Sequence, residues 1–480
     1  MARAFKPEGY DVNPKKAEEF FSSPLVRAIF RFLLRKNGRE TYFDLLWDAV
    51  IEEKPIGEED LLFYFLYLLT RTFYKQNEEK GLLRAVKDDL HTPYAKKGFK
   101  LLVESIAKYG LTTPQVFASP FLIVWNFTNA CNLRCIHCYQ DARKRMDKEL
   151  TTQEKLNIID QMDEMDVPYL AFSGGEPLLA RDFYQVAEYA ASKGMYISVA
   201  TNGTLITEEV ARRLKDIGVR YVEVSLDSAD PEKHDMFRGV KGYWKKAVRG
   251  IENAVGEGLL VGLAPTITKL NHKEVDKLYK LAIDLGCGTL YCFNFIPVGR
   301  ARGIEELDLN PVQREEVLRK LYGFLMEDRL TALATAPQYV RVCMESGGEV
   351  FPTSHYSLGK GEAARTMAKY IGGCGAGRAY ISIEPDGKVT PCVFMKLVVG
   401  DLRKQRLKDI WEKSEVLNIL RDRSKLKLNC KTCKFRDYCG GCRARAYNYF
   451  GDITAPDPGC INNIKYWNRL HKEDLIKEAV

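Results

Sequence analysis

The sequence predicts an α/β protein: a partial (β/α)6 TIM-like barrel with a helical domain before it and a cysteine-rich domain after it. Three observations predict this. Between Phe121 and Pro297, short apolar runs of strand length alternate with longer stretches of helical periodicity. Ahead of them, from Pro14 to Tyr109, apolar residues recur at helical spacing with no strand-like alternation. Behind them, seven of the thirteen cysteines crowd into the last quarter of the chain. The divisions read from these shifts are 1–115, 116–305, a helix and linker over 306–370, and 371–480. A chain of 480 residues exceeds what one hydrophobic core supports, so several units are expected.

In the first unit, helical spacing covers 20–34, 42–51, 58–74 and 98–109. The run Leu61-Leu62-Phe63-Tyr64-Phe65-Leu66-Tyr67-Leu68-Leu69 is the most apolar of these, and the preferred reading is a helix buried in a small bundle. The alternative is a membrane-surface contact or a groove for an apolar substrate, helped by the basic amphipathic stretch from Leu25 to Lys36. The first 30 residues carry charges throughout and lack an apolar core with a small-residue cleavage site, so no signal peptide is expected. No run of about 18 apolar residues is present to span a bilayer. A net charge of +8 with basic residues scattered does not read as a nucleic-acid protein. Ten cysteines in metal-like spacings suit a reducing cytoplasm better than a disulfide scaffold.

The barrel strands are expected at 121–126, 169–172, 196–200, 221–225, 259–264 and 289–295, with helices over 152–165, 181–193, 207–217, 242–256 and 273–285. Active residues of such barrels sit at the C-terminal strand ends. After the first strand come Cys131, Cys135 and Cys138, spaced Cys-x3-Cys-x2-Cys, which deliver three thiolates to one centre but not four. Four thiolates close a [4Fe-4S] cluster, and three leave one iron free for an outside ligand. The plain alternatives are a zinc knuckle borrowing His137, or three buried thiols. After the second strand, Ser173-Gly174-Gly175-Glu176-Pro177 offers glycines for close backbone approach and a carboxylate for a cationic group. Asn202 after the third strand and Ser225 after the fourth supply short polar groups, with Asp227 a weaker candidate; each alone reads more readily as a turn or cap than as a ligand, and their order and spacing after the cysteines single them out. Arg238 closes His234-Asp235-Met236-Phe237-Arg238-Gly239, either as a ligand-facing cation or in a surface salt bridge.

In the last unit, Glu384-Pro385-Asp386-Gly387-Lys388 is the turn of a hairpin that returns Cys392 towards Cys374. Cys430, Cys433, Cys439 and Cys442 then follow as Cys-x2-Cys-x5-Cys-x2-Cys, with Cys460 beyond. One or two zinc ribbons are the simpler alternative. Cys287, Cys292 and Cys343 are left over.

The cysteine triplet followed by Gly-Gly-Glu-Pro resembles the signature of the radical S-adenosylmethionine (radical SAM) enzymes, and the last seven cysteines resemble the SPASM extension of that family. The resemblance implies that Cys131, Cys135 and Cys138 hold a [4Fe-4S] cluster whose free iron is chelated by S-adenosyl-L-methionine, which is cleaved to a 5′-deoxyadenosyl radical that takes hydrogen from substrate. It implies cofactor contacts for Ser173, Gly174, Gly175, Glu176, Pro177, Asn202, Ser225 and Arg238, with His137 packing near adenine. By the same resemblance, Cys430, Cys433, Cys439 and Cys460 close an outer auxiliary cluster, while Cys374, Cys392 and Cys442 hold an inner one. The inner cluster is one thiolate short, leaving either Cys343 or an open iron. The implied activity is oxidative C–H functionalisation or bond formation by an oxidoreductase served by a ferredoxin- or flavodoxin-like electron donor. Substrate classes are a peptide, a tetrapyrrole, suggested by the run from Cys439 to Cys460, or a lipid. The competing class is a non-catalytic iron–sulfur electron-transfer or metal-binding protein.

Overall fold

The computed structural model describes residues 14–57, 61–79, 87–348, 350–352 and 357–477. Helices α1 (Pro14–Ser22), α2 (Pro24–Leu33), α3 (Tyr42–Val50), α4 (Leu61–Glu79), α5 (Lys87–Leu90) and α6 (Pro93–Tyr109) form the N-terminal module, with a two-residue hairpin of β1 (Lys36–Asn37) and β2 (Glu40–Thr41). Glu58, where the sequence starts its third helix, lies outside the described residues. Ser23, Thr41 and Thr92 each cap the next helix through a side-chain oxygen, which places the helix starts where the local sequence directs. The core joins Leu33, Phe43, Leu46, Val50, Phe63 and Leu66. One expectation fails here. The Leu61–Leu69 run is not enclosed: Phe63 and Leu66 are buried, while Leu61 is 89% exposed and Phe65 57% exposed.

The six expected strands all form: β3 (Leu122–Thr128), β4 (Tyr169–Gly174), β5 (Tyr196–Thr201), β6 (Val219–Val224), β7 (Leu260–Leu263) with the short β8 (Thr266–Ile267), and β9 (Thr289–Asn294). They pair in parallel, with α7 (Thr152–Glu164), α8 (Phe183–Ser192), α9 (Glu208–Asp216), α10 (Pro231–Arg238), α11 (Tyr243–Gly256) and α12 (Val275–Asp284) between them. Strand alternation divides the faces. Ile123, Trp125, Phe127, Leu170, Phe172, Ile197 and Val199 turn outward into the main core under the helices. Leu122, Val124, Ala171, Ser173, Ser198, Ala200 and Glu223 line the barrel interior.

The sheet then continues beyond the sequence reading. After α13 (Pro311–Glu327), the stretch expected as linker supplies a seventh parallel strand, β10 (Thr331–Ala334), which extends β9, and then α14 (Tyr339–Glu345). A hairpin of β11 (Val350–Pro352) and β12 (Ser357–Lys360) and helix α15 (Gly361–Ile371) lead onward. The expected C-terminal hairpin forms as β13 (Tyr380–Ile383) and β14 (Lys388–Thr390), followed by β15 (Gly400–Asp401). Strand β13 runs parallel to β3, with Ile383 opposite Trp125. One eleven-stranded sheet therefore runs β10-β9-β7-β6-β5-β4-β3-β13-β14-β15, with β8 added on β9. The cysteine-rich unit is built onto the barrel edge.

The N-terminal module seals the other end of the barrel. Tyr94 of α6 packs edge-on against Tyr196 at 5.1 Å, and Lys97 pairs with Asp163 at 2.6 Å.

Candidate active site

The three cysteines after β3 sit on a loop held from two directions. Arg134 N–H donates to Arg238 O at 3.0 Å and Ile136 N–H to Phe237 O at 2.9 Å, tying the loop to the end of α10. Arg300 donates from Nη1 to Cys135 O and from Nη2 to Ala142 O, both at 2.8 Å, while its own N–H reaches Cys138 O at 2.9 Å. The preceding Gly299 has φ +66, and a Cβ there would collide with the carbonyls of Cys138 and Tyr139. Arg300 escaped the sequence reading because its partners are backbone carbonyls more than 150 residues away.

Cys135 and Cys138 lie close enough to act electrostatically on Cys131, and Cys138 on Cys135. Burial first, with those neighbours adding, pushes the Cys131 thiol up to about 12. Thiolate ligation at such a site releases protons to solvent as the metal centre binds. Arg238 sits against this triad, its Nη1 3.6 Å from Cys135 Sγ and its Nε 2.8 Å from Asp227 Oδ2. It is buried, so the surface salt bridge is excluded. Although burial opposes it, Arg238 and then His137 and His234 hold the Asp227 carboxyl below its usual range. His137 Nε2 lies 3.6 Å from the same carboxylate, and burial lowers its pKa to about 4, keeping the ring neutral at pH 7.

Ser173, Gly174, Gly175, Asn202, Ser225, Arg238 and His137 all border one cavity of about 680 Å³. Glu176 and Pro177 stand outside its wall. Sequence reasoning aimed the Glu176 carboxylate at a cation; the structure turns it inward. Its Oε1 accepts from Thr201 Oγ1 at 2.8 Å and Leu178 N–H at 3.2 Å, and its Oε2 accepts from Asn202 N–H at 2.8 Å. Burial raises its pKa to about 7 despite these donors. Pro177 opens the short 3-10 turn behind it. The glycine backbone is thus what meets the cavity, and Gly175 is required because a Cβ would strike Ala130 O. Asn202 Nδ2 donates to Asn132 Oδ1 at 2.8 Å, coupling the end of β5 to the cysteine loop.

The same cavity is also bordered by Cys374, Cys392 and Cys442. Cys374 acts electrostatically on both Cys392 and Cys442, which defines one set. Cys430, Cys439 and Cys460 likewise act on one another, and Cys433 packs with Cys439. Cys343 belongs to neither. It is buried in the main core near Tyr339 and Cys292, away from the Cys374 cluster. Tyr380 OH donates to Cys392 Sγ at 2.9 Å.

Buried arginines test what these thiols hold. Arg423 Nη2 donates to Cys374 O at 2.8 Å and lies between Cys374 of one set and Cys439 of the other. Arg378 donates to Gln115 O at 2.8 Å and to Ile371 O; burial, then Arg423, lower its pKa to about 9 while Cys374 raises it. Buried cations beside thiols call for resident negative charge, which thiolate-ligated clusters supply. Among the described residues no three His, Cys, Asp or Glu side chains converge on a single metal ion, whereas both cavity-facing thiol sets border a common space.

Residues 125–282 match the radical SAM superfamily, and residues 374–434 match the iron–sulfur cluster-binding SPASM domain. An AdoMet-dependent heme synthase of Methanosarcina barkeri is 35% identical over 349 residues, covering 72% of this chain and 97% of that one. The chain belongs to the radical SAM superfamily. Within it, mycofactocin maturase MftC of Mycolicibacterium smegmatis is 31% identical, over 72% of this chain and 83% of that one. The fold is also that of Streptococcus suis SuiB bound to S-adenosylmethionine, with TM-score 0.57 and 16% identity over 82% of this chain and 89% of that one. This radical SAM/SPASM chain is therefore an enzyme that uses [4Fe-4S] clusters and S-adenosylmethionine for oxidative radical chemistry. Among the described residues, no helix is long and apolar enough to cross a membrane.

Proposed function

We propose that this enzyme removes hydrogen from an apolar portion of its substrate and functionalises that carbon oxidatively. The supporting observation is the shared cavity, bordered by the triad Cys131, Cys135 and Cys138 and by the triad Cys374, Cys392 and Cys442. The cofactors, when bound, supply hydrogen abstraction at the first triad and electron acceptance or substrate ligation at the second. Cys131, Cys135 and Cys138 hold the first cluster; Ser173, Gly174, Gly175, Asn202, Ser225 and Arg238 hold S-adenosylmethionine. Glu176 acts behind them, keeping Thr201 and Asn202 in place. Cys374, Cys392 and Cys442 hold the inner auxiliary cluster with one position open, since Cys343 is elsewhere. Cys430, Cys433, Cys439 and Cys460 hold the outer one. Cys433 and Cys460 are the partly exposed members, so a ferredoxin- or flavodoxin-like donor is met on that side. A reducing cytoplasm suits thirteen unpaired cysteines.

Tyr291, Phe293, Phe295, Tyr380 and Phe394 wall the space between the two triads. Among the described residues the wall has no lysine, and Arg238 is its one arginine. Such a wall fits a hydrocarbon-rich substrate and excludes water from the reacting carbon. A second reading, a tetrapyrrole side chain, is favoured by the match over 97% of a relative named as a heme synthase; the maturase relative raises a peptide in the same way. Anaerobically reconstituted enzyme with S-adenosylmethionine and dithionite is offered a hydrocarbon-chain lipid extract, iron-coproporphyrin III or a peptide pool, and 5′-deoxyadenosine is measured. Stimulation by lipid alone supports the first reading, and stimulation by the porphyrin alone replaces it with the second.

A further inference from the structure

We infer that Tyr380 is the fourth ligand of the inner auxiliary cluster, its phenolic oxygen closing the position that Cys374, Cys392 and Cys442 leave open. The inference rests on the proposed reading that this triad holds a cluster, and it names what completes it. Four irons present four positions, and three thiolates fill three of them. The missing donor has to stand among the three thiols, and Tyr380 OH does. It lies 2.9 Å from Cys392 Sγ, nearer than the backbone N–H groups that approach the sulfurs of Cys131, Cys138 and Cys442 at 3.4 Å. Cys392, Cys374 and Cys442 each act electrostatically on that hydroxyl, so it stands beside the whole triad and not one member of it.

The fold aims the ring there. Tyr380 opens β13, where it is paired with Leu122 of β3. Its backbone is tied to the loop after Cys374: its N–H donates to Gly375 O at 3.1 Å, and its O accepts from Gly377 N–H at 2.9 Å. Gly375 leaves the ring its space, since a Cβ there would come within 3.1 Å of it. The ring borders the cavity together with all three cysteines. Three other candidates are committed elsewhere. Cys343 is buried in the main core. Asp457 acts on Cys442, but its carboxylate accepts from Cys442 N–H at 2.7 Å, from Gly459 N–H at 3.0 Å and from Gln338 Nε2. Tyr139 OH is engaged by Asn126 and Ser173. Tyrosine oxygen is a known iron ligand, as on the haem of catalase. Ligation breaks the O–H bond and forms an O–Fe bond; the proton passes to solvent and no electron moves. With Tyr380 in place the protein supplies all four ligands, which assigns the inner cluster to electron acceptance and leaves the substrate to the apolar wall.

The test is resonance Raman spectroscopy, excited in the visible, of the cluster-loaded full-length enzyme with S-adenosylmethionine bound, beside Tyr380→Phe. Wild type at about 12 irons should show the ring modes of an iron-bound tyrosinate, and Tyr380→Phe should lose them. Enzyme grown on ring-deuterated tyrosine should show those modes shifted, so the wild-type spectrum decides even where the variant loses iron. Imidazole then probes for a free iron: the auxiliary EPR signal should shift in Tyr380→Phe and stay in place in wild type. A hydroxyl that only donates to the Cys392 sulfur gives neither result. The inference is overturned if wild type at about 12 irons lacks tyrosinate modes, or if Tyr380→Phe keeps them. It is equally overturned if wild type holds about 8 irons and Cys392→Ala holds the same number, and then it is the cluster in the triad that fails, not the choice of ligand.

Discussion

Replacing Arg300 with Met tests whether the radical loop is held from outside its own sequence. The two donations to Cys135 O and Ala142 O, each at 2.8 Å, come from a side chain only 17% exposed. Hydrogen bonds from a charged donor are worth about 1.5–3 kcal/mol each, so the pair contributes about 3 kcal/mol at the low end. The contact with Asp141, which is 55% exposed, adds little. Loss of about 3 kcal/mol shifts the loop's ordered-to-disordered ratio roughly a hundredfold. The apparent affinity for the first cluster should fall with the ordered fraction, by up to that factor, because only the ordered loop presents three thiols together. The assay is anaerobic reconstitution followed by a chelator challenge, with iron counted per chain and limited proteolysis mapped over 131–150. Wild type should keep about 12 irons and the variant should settle near about 8, with the auxiliary clusters retained. If Arg300→Met keeps its full iron through the challenge and the loop is no more readily cut, the loop is ordered by something other than Arg300.

Cys392→Ala should lose about 4 irons while still forming 5′-deoxyadenosine, and should lose the oxidised product; product at the wild-type rate would separate the inner cluster from turnover. Arg423→Met removes a buried positive charge between the two auxiliary thiol sets, so both auxiliary reduction potentials should move downward in an EPR redox titration, and unchanged potentials would refute that placement. Glu223, on the cavity wall, has its pKa raised by burial from 4.5 to about 8. The folded state therefore holds this proton longer than the unfolded chain, and stability declines as pH rises from about 4.5 to about 8, by at most about 4–5 kcal/mol. Glu223→Gln should flatten that part of a Tm-against-pH curve, and a curve parallel to wild type would show that the carboxyl is already solvated.

The six barrel strands and the triplet Cys131, Cys135 and Cys138 were legible because their signals are local: alternation over five or six residues, and spacing within eight. What escaped was set by distant partners. Thr331–Ala334 looked like linker because a four-residue parallel strand differs little from a loop until β9 pairs with it. Glu176 was assigned a cation because a carboxylate beside two glycines invites one; two of its three donors, Thr201 and Asn202, come from the end of β5 and the residue after it. The Leu61–Leu69 helix was read as core because apolar composition alone cannot distinguish burial in protein from presentation to something else. The division of the seven C-terminal cysteines into two sets became geometric only when the chain had folded Cys442 back to Cys374.

The parallel pairing of β13 with β3 fastens the C-terminal hairpin, and with it Cys374 before β13 and Cys392 after β14, onto the barrel sheet. With Ile383 opposite Trp125, the hairpin turn that follows β13 lies beside the C-terminal end of β3, where the first cysteine loop begins. Polar contacts then lock the junction. Tyr139, next to Cys138, donates to Asn126 Oδ1 at 3.0 Å and lies 2.8 Å from Ser173 Oγ. Asn126 Nδ2 and Lys396 Nζ in turn donate to Glu384 Oε1, at 3.2 and 2.9 Å. A single network thus joins the cysteine loop, the glycine turn and the C-terminal hairpin, so the separation between the two cysteine sets is fixed by the sheet instead of by a linker. That rigidity is what an enzyme needs if hydrogen is to leave the substrate at one set and an electron at the other, because a substrate held between them cannot drift from the first while reaching the second.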